Sequence, residues 1–292
     1  MLLLPPLRAT YAADALRGYM PEVIFAEAVG NCTDISATVL QPPKLDCYER
    51  FRIAPYTVVV DPDIARRFLD PNTDPGLAFL FEKQLEEADI ACFSKADRFS
   101  EFPSLPGCSP RFLSSQTGYG VAAWLVDVLG GERFPSATIL EIDYERYARA
   151  EAALAWLNCR ATVELASPAS PASLTGRLLH GLERALTAKG LTVAHLKVMD
   201  TSPAGWVKGS IVCNGGEPFV DGNPDAPAVA AHELLLNARA AGSPGDLRQA
   251  VEDQLAAIPG AVSVRALQCF SPSPPTPEKR VGSWSPARTD FR

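Results

Sequence analysis

Four consecutive residues, Ser94-Lys95-Ala96-Asp97, follow a short apolar run at 90–93 and carry the most legible chemistry in the chain. A carboxylate at the tip of a strand presents two oxygens side by side, which can accept two parallel donors in a bidentate contact. The neighbouring N1–H and N2–H of a guanine ring are such a pair, and Asp97 is the residue that could meet them. Lys95 would lay its aliphatic stem over the base. Ser114, Ser115 and Gln116, at the tip of the next strand, would offer backbone N–H groups to the guanine O6. The same tetrapeptide also reads as a solvated loop whose Asp caps a helix, since Asp is a favoured capping side chain. Four residues alone do not choose between these readings.

For the two loops to meet, strands must lie side by side and in parallel. Residues 22–26 (EVIFA) form a short apolar run of the kind that fills a sheet buried on both faces, and they lead into Glu27-Ala28-Val29-Gly30. A weak helical periodicity over 8–19 precedes them. A second strand is expected at 56–60, ending at Asp61-Pro62, with Asp63 capping a helix through Ile64, Arg67 and Phe68. A long helix over 74–87 places Leu77, Leu80, Phe81 and Leu85 on one face and turns Glu82, Lys83, Glu86 and Glu87 outward. It feeds the strand at 90–93. After a proline-rich loop, the piece at 111–113 leads into Ser114-Ser115-Gln116-Thr117-Gly118, which opens a helix through Val121, Trp124, Leu125 and Val128, closed by Gly130-Gly131. Such alternation predicts a parallel α/β sheet with a ligand crevice at the carboxyl ends of its strands.

A second unit is expected after Pro135, and it holds an internal repeat. Residues 160–199 read as strand, helix (Leu174, Leu178, Leu182 and Leu186 on one face) and strand; residues 232–270 read the same way, with Leu247, Val251, Leu255 and Ile258 on the helix. Ser243-Pro244-Gly245-Asp246 supplies a cap, a first-turn proline and a capping-box acid. Two βαβ halves make a ferredoxin-like sandwich. Residues 206–213 add a strand ending at the Asn214-Gly215-Gly216 turn; the glycines there and Lys208 read as a hairpin, since no helix start follows to make an anion site. The division is therefore 1–135, 136–270 and a tail over 271–292 whose prolines predict disorder.

Composition sets limits. With 292 residues, 47% apolar and 21% charged, the chain can bury two cores. A net charge of -7 repels polyanions, so nucleic acid is not an expected partner. No apolar stretch reaches the roughly 18 residues a spanning helix needs, and a cytoplasmic chain is expected. The seven cysteines lack C-x-x-C spacing, which argues against a zinc cage or a disulfide framework, and most read as buried thiols; His180, His195 and His232 read as structural. Trp124 and Trp156, at helical spacing from leucines, read as core.

The segments EAVG (Glu27 to Gly30), SKAD (Ser94 to Asp97) and SSQTG (Ser114 to Gly118), in that order, resemble motifs of the CobW/HypB/UreG group of GTPases, where an acid-x-x-Gly segment, Asn-Lys-x-Asp and a Ser-Ala-x-Thr-Gly-like loop follow one another. FEKQLEEADIACFSKAD resembles the helix and strand before the guanine motif of CobW-like proteins, and residues 144–165 look like the start of their C-terminal module. The resemblance spans about residues 17–270. It implies a partial phosphate-loop NTPase-like parallel sheet joined to the ferredoxin-like α+β domain, with GTP and Mg2+ as cofactors. It further implies metal-chaperone or insertase work on a metalloprotein client, Ser94, Lys95, Asp97, Ser114, Ser115 and Gln116 at the guanine, and Glu27 and Gly30 in the catalytic segment.

Departures from the pattern weigh equally. The sequence contains no G-x-x-x-x-G-K-[S/T] phosphate loop, which would supply the N–H groups, lysine and hydroxyl that hold a triphosphate and its Mg2+. The Cys-x-Cys-Cys metal motif of CobW-like proteins is absent, and Cys32 does not replace it. Ser94 stands where the family has Asn and lacks the amide that bridges to the phosphate loop. The expectation is an N-terminally truncated GTP-binding chain, complemented by a missing N-terminal fragment and not hydrolysing GTP alone. The alternative is a non-enzymatic pseudo-GTPase or protein-interaction module.

Overall fold

Thr57–Val60 (β1), Ile90–Phe93 (β2) and Arg111–Phe112 (β3) form a three-stranded parallel sheet with β2 in the middle, as the alternation of apolar runs predicts. Every residue of β2 is buried, because it is hydrogen-bonded on both edges and covered on both faces. One face meets Val60, Ala65, Phe81 and Leu85, the other Val128, with Trp124 packed beside it. The chain is described here by a computed structural model over residues 22–27, 33–42, 52–130, 139–272 and 280–281. It divides into two units, Met1–Tyr147 with Pro275–Arg292, and Ala148–Pro274.

In the first unit, Pro62–Phe68 (α1) is capped by Asp61 and not by Asp63: the Asp61 carboxylate accepts from the Asp63 and Ile64 N–H groups at 2.9 and 3.4 Å. Pro62 fills the first helical position, where its missing N–H costs nothing. Pro75–Glu87 (α2) falls where the apolar pattern over 74–87 predicts a helix, with Asp74 as its cap. Val121–Leu129 (α3) starts later than expected, because the segment after Ser114 closes as a turn, with the Gly118 N–H on the Ser114 carbonyl at 2.9 Å. Residues 22–27 form no strand. Val23, Ile24 and Phe25 are 44%, 47% and 67% exposed, and an apolar run without a ladder partner among the described residues cannot satisfy its backbone as a strand. The helix expected at 8–19 and Gly30 lie outside the described residues.

A buried polar knot joins distant parts of this unit. Asp34, 1% exposed, accepts from the Arg280 guanidinium at 2.9 and 3.2 Å and from the Tyr144 hydroxyl; Arg280 also donates to the Leu140 carbonyl at 2.7 Å. The Val281 N–H reaches the Ala37 carbonyl at 3.0 Å. Within the tail read as disordered, Arg280 and Val281 are therefore bound in place, the flanking positions lying outside the described residues. Glu87, expected outward, is instead 2% exposed and accepts from the Ser36 N–H.

The second unit opens within Tyr144–Ala152 (α4). Its strands are Leu154–Ala169 (β4), Thr192–Ser202 (β5), Gly205–Ile211 (β6), Phe219–Gly222 (β7), Val229–Ala241 (β8) and Gly260–Phe270 (β9). They form one antiparallel sheet ordered β7-β6-β5-β8-β4-β9. The inner order β9-β4-β8-β5 is that of two interleaved βαβ halves, with the β6–β7 hairpin added at one edge. Pro171–Ala188 (α5) and Pro244–Ala256 (α6) are capped by Ser170 and Ser243 and share one core with alternate residues of the inner strands, among them Leu157, Leu196, Leu234 and Leu236. Trp156 lies on β4, not on a helix, and packs with Phe270 and under Arg239. Of the described cysteines, Cys92 and Cys159 are buried while Cys108, Cys213 and Cys269 are half-buried, and all are free thiols.

Inside the second core, the wholly buried His232 ring sets Nδ1 at 3.0 Å from both Asp200 carboxylate oxygens and Nε2 at 3.0 Å from the Val229 carbonyl. Burial pushes the Asp200 carboxyl up, while the imidazole pulls it down. Truncating one partner leaves the other unpaired away from water. Asp200→Ala is expected to lower stability by about 3–5 kcal/mol, and Asp200→Asn, which keeps an acceptor, by less; urea unfolding of the full chain measures both.

Burial raises the Glu87 carboxyl from its ordinary 4.5 to about 7, against the Ser36 N–H that lowers it. Because the folded value exceeds the unfolded one, this group's contribution to stability is fully present below about pH 4.5 and is lost as pH rises through about 7. The loss between those limits is on the order of 3 kcal/mol. Glu87→Gln is expected to flatten that decline in urea midpoints measured from pH 4.5 to pH 8.

Candidate functional site

The carboxyl ends of the three parallel strands are stitched to one another through residues 94–97. Ser94 turns back to β1, its N–H and hydroxyl both donating to the Val60 carbonyl at 2.8 and 3.1 Å. Lys95 follows in the left-handed region, φ +58°, a costly conformation for a residue with a Cβ, and its ammonium meets the Asp61 carboxylate at 2.6 Å. The Ala96 N–H then reaches across to the Leu113 carbonyl at 2.9 Å, beyond the end of β3. Asp97 therefore emerges beside the Ser114 loop.

Ser114 is fully buried and organises that loop. Its N–H donates to the Tyr119 carbonyl at 3.0 Å, and its hydroxyl accepts from the Thr117 N–H at 3.1 Å. The same hydroxyl bonds the Asp97 carboxylate and is the foremost reason that carboxyl sits below the usual range, so Asp97 is an anion at neutral pH. Gly120 closes the loop at φ +72°; a Cβ there would stand 2.1 Å from the Phe112 carbonyl oxygen, so only glycine fits.

Between the loops lies a cleft of about 360 Å³ lined by Ala96, Asp97, Phe102, Phe112, Thr117 and Tyr119. Of the residues singled out from sequence, Asp97 lines it and Ser114 supports it. Lys95 is drawn to Asp61 instead of covering the cleft, and Ser94 faces β1. The Ser114 N–H is already used, whereas those of the exposed Ser115 and Gln116 make no hydrogen bond among the described residues; neither residue lines the cleft. Glu27 is exposed in a coil, and no hydrogen bond or ion pair among the described residues links it to this site. Phe112, Thr117 and Tyr119 were not foreseen. Their signal was thin: the apolar end of a two-residue strand and a tyrosine between two glycines.

The residues present do not fit a triphosphate with Mg2+. No phosphate-loop sequence exists, and no cluster of three His, Cys, Asp or Glu among the described residues could hold a metal ion. A larger cleft, about 530 Å³, lies in the second unit beside Thr162, Glu164, Thr201, Ser202, His232 and Glu233. Its histidine has both ring nitrogens committed, to Asp200 and to the Val229 carbonyl, so it has no lone pair or proton to spare for chemistry.

No protein-family model matches the sequence, and no curated protein matches it. Among solved structures, the chain is similar to the Zn(II)-bound YjiA GTPase from E. coli at 11% identity and a TM-score of 0.24, over 74% of this chain and 66% of that one. It is similar to a Zn(II)-bound triple mutant of YjiA GTPase at 12% identity and a TM-score of 0.25, over the same shares. The chain thus spans 66% of the length of the structures it matches. A likeness so faint assigns no activity. What the site can do follows from its own residues. Among the described residues, no helix is long and apolar enough to cross a membrane.

The Ser114 hydroxyl is the chief group that holds Asp97 ionised. Ser114→Ala is expected to move the Asp97 carboxyl back up towards the ordinary aspartate range, read by carboxyl-carbon NMR titration; an unmoved Asp97 would contradict this pairing. The lowered value means that the contribution of Asp97 to stability is present above the unfolded pKa and lost as pH falls through the folded one, and the substitution removes that acid-side dependence.

Proposed function

We propose that the cleft at the carboxyl end of β2 binds a guanine base, and that the chain is a guanine-nucleotide-binding protein of CobW type that does not hydrolyse GTP by itself. The observation that carries this reading is Asp97: an ionised carboxylate, held by a buried serine, in an aromatic-lined cleft at the end of a central parallel strand. Its remaining acceptor sites suit the N1–H and N2–H donors of guanine, and the Ser115 and Gln116 N–H groups suit O6. The sequence resemblance supports the wider assignment of the first unit to a phosphate-loop NTPase-like sheet and of the second to a ferredoxin-like domain. It also supports a role in metal delivery to a metalloprotein client. The sequence has no phosphate loop to grip the phosphates, so affinity rests on the base, at the millimolar level or about 4 kcal/mol.

A second reading, a non-enzymatic interaction module, is favoured by the open face of the six-stranded sheet. There Leu235 and Trp206 are 47% and 42% exposed, beside charges that are already paired, Arg160 with Glu233 and Lys208 with Asp221. The two readings separate by titration. Guanosine and GTP are expected to bind alike, within a few-fold and independently of Mg2+, while adenosine does not bind. Asp97→Asn replaces one acceptor with a donor, which matches the donor–acceptor edge of xanthosine, and should shift preference from guanosine to xanthosine by about tenfold or more. No discrimination between guanosine and adenosine would remove the guanine reading. Submicromolar affinity dependent on Mg2+ would contradict the claim that phosphate contacts are lacking.

A further inference from the structure

We infer that Phe112 and Tyr119 are the residues that hold the base in place, by ring stacking, in the position that sequence reasoning assigns to the stem of Lys95. This rests on the guanine reading of Asp97. The lysine is drawn away: its ammonium is fixed on Asp61 at 2.6 Å, beyond the end of β1, and Lys95 does not line the cleft. The cleft walls are aromatic instead.

The two rings are supported differently. Phe112 is the outermost member of a packed aromatic group. Its ring centroid is 4.7 Å from Phe102 in an edge-on arrangement and 6.1 Å from the wholly buried Phe93, and Phe102 lies 5.1 Å from Phe93. Its ring is held from behind while 39% of the residue stays open to solvent. Tyr119 is held through its backbone. Its carbonyl accepts from Ser114, its N–H donates to the Thr117 hydroxyl at 3.3 Å, and the flanking Gly118 and Gly120 take φ +76° and +72° to make the tight loop possible. Yet Tyr119 is 64% exposed. A lone exposed aromatic is ordinary. Two that line one ligand-sized cleft with an ionised carboxylate make a stacking site, since every nucleobase offers a π-face and stacking does not depend on which base it is. The cleft, about 360 Å³, lies at the small end of the roughly 300–1,000 Å³ range of ligand pockets, and suits a nucleoside. In this division of labour the rings supply affinity and Asp97 supplies discrimination.

The test is a saturation-transfer NMR titration of the full chain and its variants with guanosine and xanthosine, the fold of each variant checked by circular dichroism. Tyr119→Ala is expected to weaken both nucleosides by the same factor, about tenfold, leaving the preference for guanosine intact, while Tyr119→Phe binds as the parent does. Because Tyr119 is largely exposed and its backbone bonds do not use the side chain, the alanine variant keeps the fold. If Tyr119→Ala binds guanosine as tightly as the parent while Asp97→Asn loses it, the stacking role fails and the guanine reading stands. If Tyr119→Phe is as weak as Tyr119→Ala, the hydroxyl and not the ring is responsible, and the inference is overturned. If the parent chain binds no guanosine up to about 10 mM, both the inference and the reading beneath it fall.

Discussion

The burial of β2 on both edges and both faces is the constraint from which the candidate site follows. A strand paired in parallel on each side must end where its neighbours end, so the loops after β1, β2 and β3 are delivered to the same rim. Hydrogen bonds continue the ladder after the strands have finished, Ser94 to Val60 and Ala96 to Leu113, and the Ser114 hydroxyl donates to the Asp97 carboxylate beside them. They fix a carboxylate at the rim without burying it. A fully buried Asp would tend to take up a proton; an exposed one beside a buried hydroxyl keeps its charge and its acceptor capacity. The left-handed backbone at Lys95 is the local strain this turn demands, and the ion pair with Asp61 helps to hold it.

Much of this was legible in sequence, for identifiable reasons. The strand at 90–93 and the helix expected over 74–87 announce themselves by apolar pattern, a local signal. The repeat in the second unit was legible because each half carries one apolar helix face between two strands, and Ser243-Pro244 marks the start of the second helix; the matching Ser170 cap is seen only in the structure. Asp97 and the Ser114 loop could be paired because parallel strands bring successive loops to one end.

The failures share a cause, namely dependence on partners distant in the chain. Residues 22–26 have the composition of a buried strand but no ladder partner among the described residues, and composition cannot report that. Glu87 lies where the helical pattern turns outward, yet residues 33–42 cover it and make it a buried acid. Arg280 sits in a stretch whose composition predicts disorder, and Asp34, more than two hundred positions earlier, holds it. Asp61, not Asp63, caps the helix at 62–68, and the proline that follows it is the local mark of that cap. The aliphatic stem of Lys95 suits a base, but which of several carboxylates its ammonium finds is a tertiary matter, and it finds Asp61.

The account stands on whether a guanine base settles between residues 94–98 and 112–120. Amide chemical-shift mapping of the isotope-labelled chain during a guanosine titration tests this most directly. The account predicts saturable shifts confined to those two stretches, largest at Asp97, Ser115, Gln116 and Tyr119. Shifts concentrated on the second unit, or none at saturating guanosine, would contradict it.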